Sequence, residues 1–389
     1  MINIKINNIG EVVEWYQEAV VPLVVKRKMT HRPTDSFESI ICKDLDSSFF
    51  CADVIRLPVE ELTLKYEWIR DYKKTIEFCG FATYLNANTK SKSSKNGDLA
   101  SIRRGCLNKY INVVIDNLLE SYLVNSSKEE RIEKVTSSKK EFISFLKIVK
   151  NRIKDINNII IQKFNYDEVL GDSEIRGKLV KKLDIKVCPY CNRQYINPLT
   201  YDNKNKYMGD IDHILPKSSY ALFQLSFFNM IPSCKVCNQL FKGQKNLNLL
   251  NPYFEGFDDD AYLEMRYASV KELVGLVEPK DYSWEIKYNK EEKNSQIKDK
   301  FNKVKCNIDT FKLNEVYKTS ASEFQRILRL KYINESQIYR NCIDNILNVG
   351  KYNNLEQFDD RLIYGVSLDE DHFQDEILSK AIYDIVMRN

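Results

Sequence analysis

Gly209-Asp210-Ile211-Asp212-His213-Ile214-Leu215-Pro216-Lys217 lies between two Cys-x-x-Cys pairs, Cys188/Cys191 and Cys234/Cys237, with Asn229 shortly before the second pair. Two thiolates so spaced on one turn can reach a common ion, and two such turns complete the tetrahedron that zinc prefers. A site of four sulfurs is coordinatively closed, so its metal contributes folding energy and leaves the chemistry to other residues. Two redox pairs, or four unrelated thiols, are the competing reading. Two matched pairs bracketing one acid-histidine segment argue against both. The stretch between the pairs is longer than a short zinc ribbon needs, so it is expected to carry structure of its own.

Inside that bracket stand the residue types that hydrolyse a phosphodiester. An attacking water must lose a proton, and a neutral imidazole, with an ordinary pKa of about 6.5, can take it. A hard divalent ion held by a carboxylate and an amide oxygen can grip the phosphate and the leaving oxygen. Asp212, His213 and Asn229 supply these groups, with Mg²⁺ or a similar ion as the expected cofactor beside structural Zn²⁺. The runs Ile211 to Leu215 and Phe227 to Ile231 read as strands, and Leu240, Leu247 and Leu250 as a short closing helix. Neighbours in a strand point to opposite faces, so Asp212 and His213 converge only if the strand bends or ends there. Pro216 is placed to end it. Of the other two histidines, His31 and His372 have no such company and are expected in ordinary packing or surface roles.

As a set, these motifs resemble the HNH, or ββα-metal, nuclease family. The resemblance runs over residues 188–243: Cys188-x-x-Cys191, Asp212-His213-Ile214-Leu215-Pro216-Lys217, Asn229-Met230-Ile231-Pro232, and Cys234-x-x-Cys237-Asn238-Gln239-Leu240-Phe241-Lys242-Gly243. It implies that His213 is the general base, that Asp212 binds the catalytic ion, and that Asn229 supports the ion or orients the histidine loop. Asn238 stands where the family often has its last histidine, and two roles are open to it, ion ligand or helix cap. Arg193, Lys217, Lys242 and Lys245 surround these positions and are candidates to neutralise flanking phosphates. The implied activity is a metal-dependent endonuclease that reads backbone more than base edges, with DNA the expected substrate. A ribonuclease toxin acting on structured RNA and a zinc module that binds nucleic acid without cutting it are the alternatives. The tail Leu378-Ser379-Lys380-x-x-x-Asp384-Ile385, with Ile363-Tyr364-Gly365, also resembles HNH effectors of bacterial anti-phage defence, of Septu type or associated with retrons. Such effectors pair with an ABC-like ATPase. No Walker-type glycine loop occurs in this chain, consistent with an ATPase supplied in trans.

Composition sets the frame around the motif. A chain of 389 residues exceeds what one core usually organises, and 43% apolar with 12% aromatic residues is enough to bury several. Only 12 Gly and 9 Pro favour a helix-rich protein. The expected class is therefore α+β, mostly helical with an embedded ββα module: 1–180 helical, 181–260 nuclease module, 261–389 helical. The net charge of +4 permits a polyanionic partner without demanding one. Four of the ten cysteines form the pairs and six are scattered, a pattern of a reducing cytoplasm, not of a disulfide scaffold. The start lacks a basic and apolar leader, and the run Ala19 to Val25, broken by Pro22, is too short for a bilayer; no membrane is expected.

Three further segments carry readings. Residues 89–97 are polar, basic and Ser-rich, an expected exposed loop followed by Arg103 and Arg104. Ser138 and Glu141 make a capping box, after which Phe142, Phe145, Leu146, Val149, Ile153 and Ile156 form one apolar helix face. Asp258, Asp259 and Asp260 are expected in a solvated turn, and Ile377, Leu378, Ala381, Ile382 and Ile385 in a second helical stripe.

Overall fold

The computed structural model describes residues 1–88, 101–105, 107–108, 128–171, 174–201, 204–288, 291, 293–336 and 360–388. The expected loop at 89–97 lies outside the described residues. The chain forms two compact units, one of Gly10–Arg176 with Leu215–Met230, the other of Met1–Ile9, Gly177–Ile214 and Ile231–Asn389. This division differs from the segmentation suggested by the motifs, because the short piece between His213 and the second cysteine pair joins the helical residues that precede the module in sequence.

Among the described residues, the first unit is helix and turn up to Met230, where β4 begins. Its principal helices are Ile9–Lys26, Ser36–Leu45, Ser48–Arg56, Val59–Lys65, Glu67–Asn88 and Lys139–Ile161. Ser138 accepts the amide of Glu141 at 3.1 Å, as the capping box requires, and Phe142, Phe145, Leu146, Val149, Ile153 and Ile156 are all buried. Phe78 meets Phe142 and Phe145 edge-on, so the expected stripe is core. The piece 215–230 is built into this unit by buried contacts. Tyr16 donates to the carbonyl of Leu225 at 3.0 Å and packs its ring on Phe227, while Tyr72 packs against Phe223. His31 bonds Glu38, a packing role as expected.

Among its described residues, the second unit holds three two-stranded sheets. Strands β1 (Pro198–Tyr201) and β2 (Lys204–Tyr207) pair antiparallel, Pro198 opposite Tyr207. Strand β3 (Asp210–His213) pairs with β4 (Met230–Ser233). Both start elsewhere than the sequence predicts: β3 ends at His213, and Phe227–Asn229 is a 3₁₀ turn that delays β4. The expected helix over Leu240, Leu247 and Leu250 is instead a π-helix, Val236–Lys242, beginning inside the second cysteine pair. Leu240 faces solvent and Leu250 is buried in the following loop, so those leucines share no helix face.

The region after 261 is not purely helical. Strands β5 (Ala261–Arg266) and β6 (Asp281–Ile286) pair antiparallel, Leu263 opposite Trp284. Ala261, Leu263 and Met265 are buried in alternation, as are Tyr282 and Trp284, a period-two pattern too short to stand out among Lys- and Glu-rich neighbours. Helices Ser295–Thr310, Leu313–Tyr317, Ala321–Glu335 and Ser379–Arg388 follow. The last buries Ala381, Ile382 and Ile385, as the stripe predicts, and Asp384 accepts the Leu263 amide at 3.0 Å. The Asp258–Asp260 turn is only partly solvated. Asp260 is buried and paired with Lys300, and Asp259 pairs with Arg388. His372 bonds Asp375. Among the described residues, no helix is long and apolar enough to cross a membrane.

Candidate metal centre and adjoining strand

The first cysteine turn is shaped by its backbone. Asn192 donates its amide to the carbonyl of Cys188 at 2.7 Å, and Cys188 donates to Gln194 at 2.9 Å. Asn192 itself has a φ of 50°, a left-handed conformation that Asn tolerates better than most side chains. At the second turn, Asn238 donates to the Cys234 carbonyl at 3.0 Å and the Cys237 amide points at the Cys234 sulfur at 3.4 Å. All four thiols are buried, and their sulfurs lie within 4.8 Å of one another.

Zinc–sulfur bonds of about 2.3 Å in a tetrahedron separate the sulfurs by roughly 3.8 Å. Between the pairs, Cys191 Sγ lies 4.0 Å from Cys234 Sγ. The cluster can therefore hold a tetrahedral metal ion such as zinc. It does not hold a disulfide, whose sulfurs would sit at about 2.05 Å. Burial pushes the Cys188 thiol well up, and bonding to the other sulfurs pushes Cys237 up. Hydrogen bonding to the other three sulfurs pushes Cys234 down.

The cluster is anchored by residues that motif reading missed. Asn192 is fully buried; its amide donates to the carbonyls of Phe373 and Glu376, and its oxygen accepts from Lys380 N and Ser379 Oγ. Tyr317 donates its hydroxyl to the Cys191 carbonyl at 2.8 Å. The left-handed position after a cysteine turn was a usable signal for Asn192. Nothing local marks Tyr317.

On β3, Asp210 and Asp212 share one face by strand alternation. Asp210 accepts from Asn238 Nδ2 at 3.2 Å and from Gln239 Nε2 at 2.7 Å. Asp212, 3% exposed, accepts the Tyr190 hydroxyl on Oδ2 at 2.7 Å and the Lys242 ammonium on Oδ1 at 2.9 Å. Burial first, then the Asp212 charge, pushes the Tyr190 hydroxyl well up, so it stays a donor. Lys242 is 1% exposed and also donates to the His213 carbonyl at 2.6 Å. His213 ends the strand with 8% of its surface exposed.

Two sequence-based expectations change here. Lys242 is an interior ion-pair partner, not a phosphate contact on the surface. Asp212 has both oxygens engaged, one by a cation, whereas a hard divalent ion with its waters needs open oxygen donors. The arrangement at Asp212 does not fit such an ion. Asn238, expected as ligand or cap, has its side chain on Asp210.

Asn229 and Lys217 belong to the helical unit. Asn229, 1% exposed, accepts the Leu215 amide at 2.8 Å and donates to the carbonyls of Leu215 and Phe223. It thus fixes the backbone of the loop that follows β3. Lys217 is paired with Asp167 and lies over the Tyr166 ring. In the thiol-bearing unit, the Arg193 guanidinium covers the Tyr317 ring and donates to Thr319, and exposed Lys245 donates to the Phe241 carbonyl.

No family model matches the chain, and neither a curated protein nor a solved structure is similar to it.

Proposed function

We propose that the chain is a zinc-stabilised endonuclease of HNH type, with His213 as general base in phosphodiester hydrolysis. The observation that carries this reading is the gathering of four buried thiols within 4.8 Å of one another, on two turns that frame the strand ending in Asp212-His213. We assign zinc to the thiols. In the reaction, the His213 imidazole takes the proton of the water that attacks phosphorus, the P–O bond to one sugar oxygen breaks, and that oxygen leaves as a hydroxyl with a proton from solvent; exposed Lys245 offers positive charge to a backbone phosphate. No step is assigned to a second ion at Asp212, whose oxygens are held by Tyr190 and Lys242. DNA is the substrate we test first.

His213 is largely covered, so substrate engagement needs the strand end to open. We propose further that a partner ATPase drives this opening, as in the anti-phage effectors that the tail resembles. The engaged Asp212 favours a second reading, a zinc-held module that binds nucleic acid without cutting it.

Purified protein incubated with labelled DNA and labelled RNA, with and without Mg²⁺, separates the readings. Cleavage that disappears in His213→Ala with zinc retained supports the nuclease, and RNA-only cleavage redirects it to a ribonuclease. Binding without cleavage, alone and with a candidate ATPase, replaces it with the binding module.

A further inference from the structure

The two cysteine turns each send one side chain to the same carboxylate. Tyr190 sits between Cys188 and Cys191, and its hydroxyl reaches Asp212 Oδ2. Its ring is fixed by stacking on Phe311, centroids 4.5 Å apart and planes 16° apart. Lys242 closes the π-helix that starts at the second cysteine pair, and its ammonium reaches Asp212 Oδ1 and the His213 carbonyl.

The helix type matters to that reach. The Gly243 amide bonds the Asn238 carbonyl at 2.7 Å, the i to i+5 pattern of a π-turn. In an α-helix, Lys242 would be rotated roughly 140° from Cys237; the wider turn brings it back towards the cysteine side, where Asp212 lies. Gly243 then leaves the helix with a φ of 54°.

We infer that Tyr190, Asp212 and Lys242 form a clasp that ties both halves of the thiol cluster to the end of β3, making Lys242 a positioning residue for His213. The clasp assigns Asp212 a structural task in place of ion ligation. Its first consequence is mechanical: the Lys242 bond to the His213 carbonyl fixes the backbone from which the imidazole projects, and filling the thiol cluster fixes both arms of the clasp. The effect on catalysis rests on the nuclease reading, whereas the clasp itself does not.

The test uses the full-length, zinc-loaded chain with Lys242→Met, and with the double variant Lys242→Met/Asp212→Asn, which removes the buried unpaired carboxylate. Hydrogen exchange is read over Asp210–Ile214, alongside zinc content, Tm, kcat and KM. In the single variant, zinc is retained, exchange over the strand speeds at least tenfold, and kcat falls at least tenfold with KM within twofold. The double variant recovers much of the lost Tm, while exchange stays fast and kcat stays low, because the Lys242 bond to the His213 carbonyl is still missing. Should Lys242→Met fail to fold, the double variant alone supplies the exchange and kcat readings.

Unchanged exchange over Asp210–Ile214 in either zinc-loaded variant overturns the clasp. A fall in kcat/KM expressed wholly in KM overturns the positioning role. If the wild-type chain cuts no nucleic acid, the nuclease reading fails, and the exchange and Tm measurements still decide whether the clasp exists.

Discussion

The hydroxyl of Tyr317 donates to the carbonyl of Cys191 at 2.8 Å across 126 residues of sequence. Tyr317 is fully buried, with Trp284 edge-on to its ring and the Arg193 guanidinium over it. The cysteine turn is therefore fixed from two directions by the region after residue 261, through Tyr317 and through the Asn192 bonds to residues 373–380. The thiol cluster is not a free-standing finger; its scaffold includes the chain's last helix.

Removing that hydroxyl isolates its contribution. Tyr317→Phe keeps the ring packing and leaves a buried carbonyl without its donor, which costs about 1–3 kcal/mol. Denaturant unfolding should show the midpoint falling with the slope unchanged, and chelator competition should show faster zinc loss. Zinc release at the wild-type rate would mean that this bond does not brace the turn.

Asn192 combines an unusual backbone with four side-chain bonds. Asn192→Ala loses the bonds and places a Cβ without local hydrogen bonding at a φ of 50°. Asn192→Gly loses the same bonds but accepts the conformation. The alanine variant is therefore expected to be less stable than the glycine variant by about 1 kcal/mol, with both well below wild type. Unfolding curves of the three proteins test the order.

The helical unit carries a pH signature. Burial pushes Glu38 up, but the Thr34 amide, His31, the Thr34 hydroxyl and Arg152 outweigh it and hold its pKa down from the ordinary 4.5 to about 2. A carboxyl lowered by folding contributes stability that is fully present above its unfolded pKa and is lost as pH falls through the folded one. Wild type is accordingly expected to exceed Glu38→Gln by about 1–3 kcal/mol at pH 7, and the gap should close between pH 4.5 and about 2. Paired denaturant curves at pH 7, 4.5 and 3 check it; a gap that is constant with pH would refute the assignment.

How far the sequence reveals this architecture depends on the range of each signal. The cysteine spacing and the Ser138 cap are chemistry confined to a few residues, so Cys188, Cys191, Cys234 and Cys237 meet, and the face from Phe142 to Ile156 is buried, as the patterns predict. Strands β5 and β6 are hidden because six residues of alternation compete with a helix-forming composition. Lys242 looks like a surface base until the π-turn rotates it inward, and no local residue pattern announces a π-turn. Asp212 presents the same difficulty: its neighbours identify it as an ion ligand, and only the three-dimensional approach of Tyr190 and Lys242 shows it engaged.

Zinc and the base should separate cleanly by mutation. Cys234→Ser removes one of the four sulfurs of the proposed zinc site and leaves three thiols with a harder hydroxyl in place of the fourth. Structural zinc contributes about 10–16 kcal/mol in isolated finger peptides, and even part of that exceeds the stability of a small module. Cys234→Ser is therefore expected to lose zinc and to lower Tm, with increased exchange around both cysteine turns. His213→Ala leaves every sulfur and the backbone carbonyl of residue 213 in place, so zinc content and circular dichroism should match wild type, while the hydrolysis proposed above is abolished. Elemental analysis beside circular dichroism reads both variants directly. Equal zinc loss in the two would show that scaffold and base are one unit, and the division of labour between thiols and imidazole would have to be abandoned.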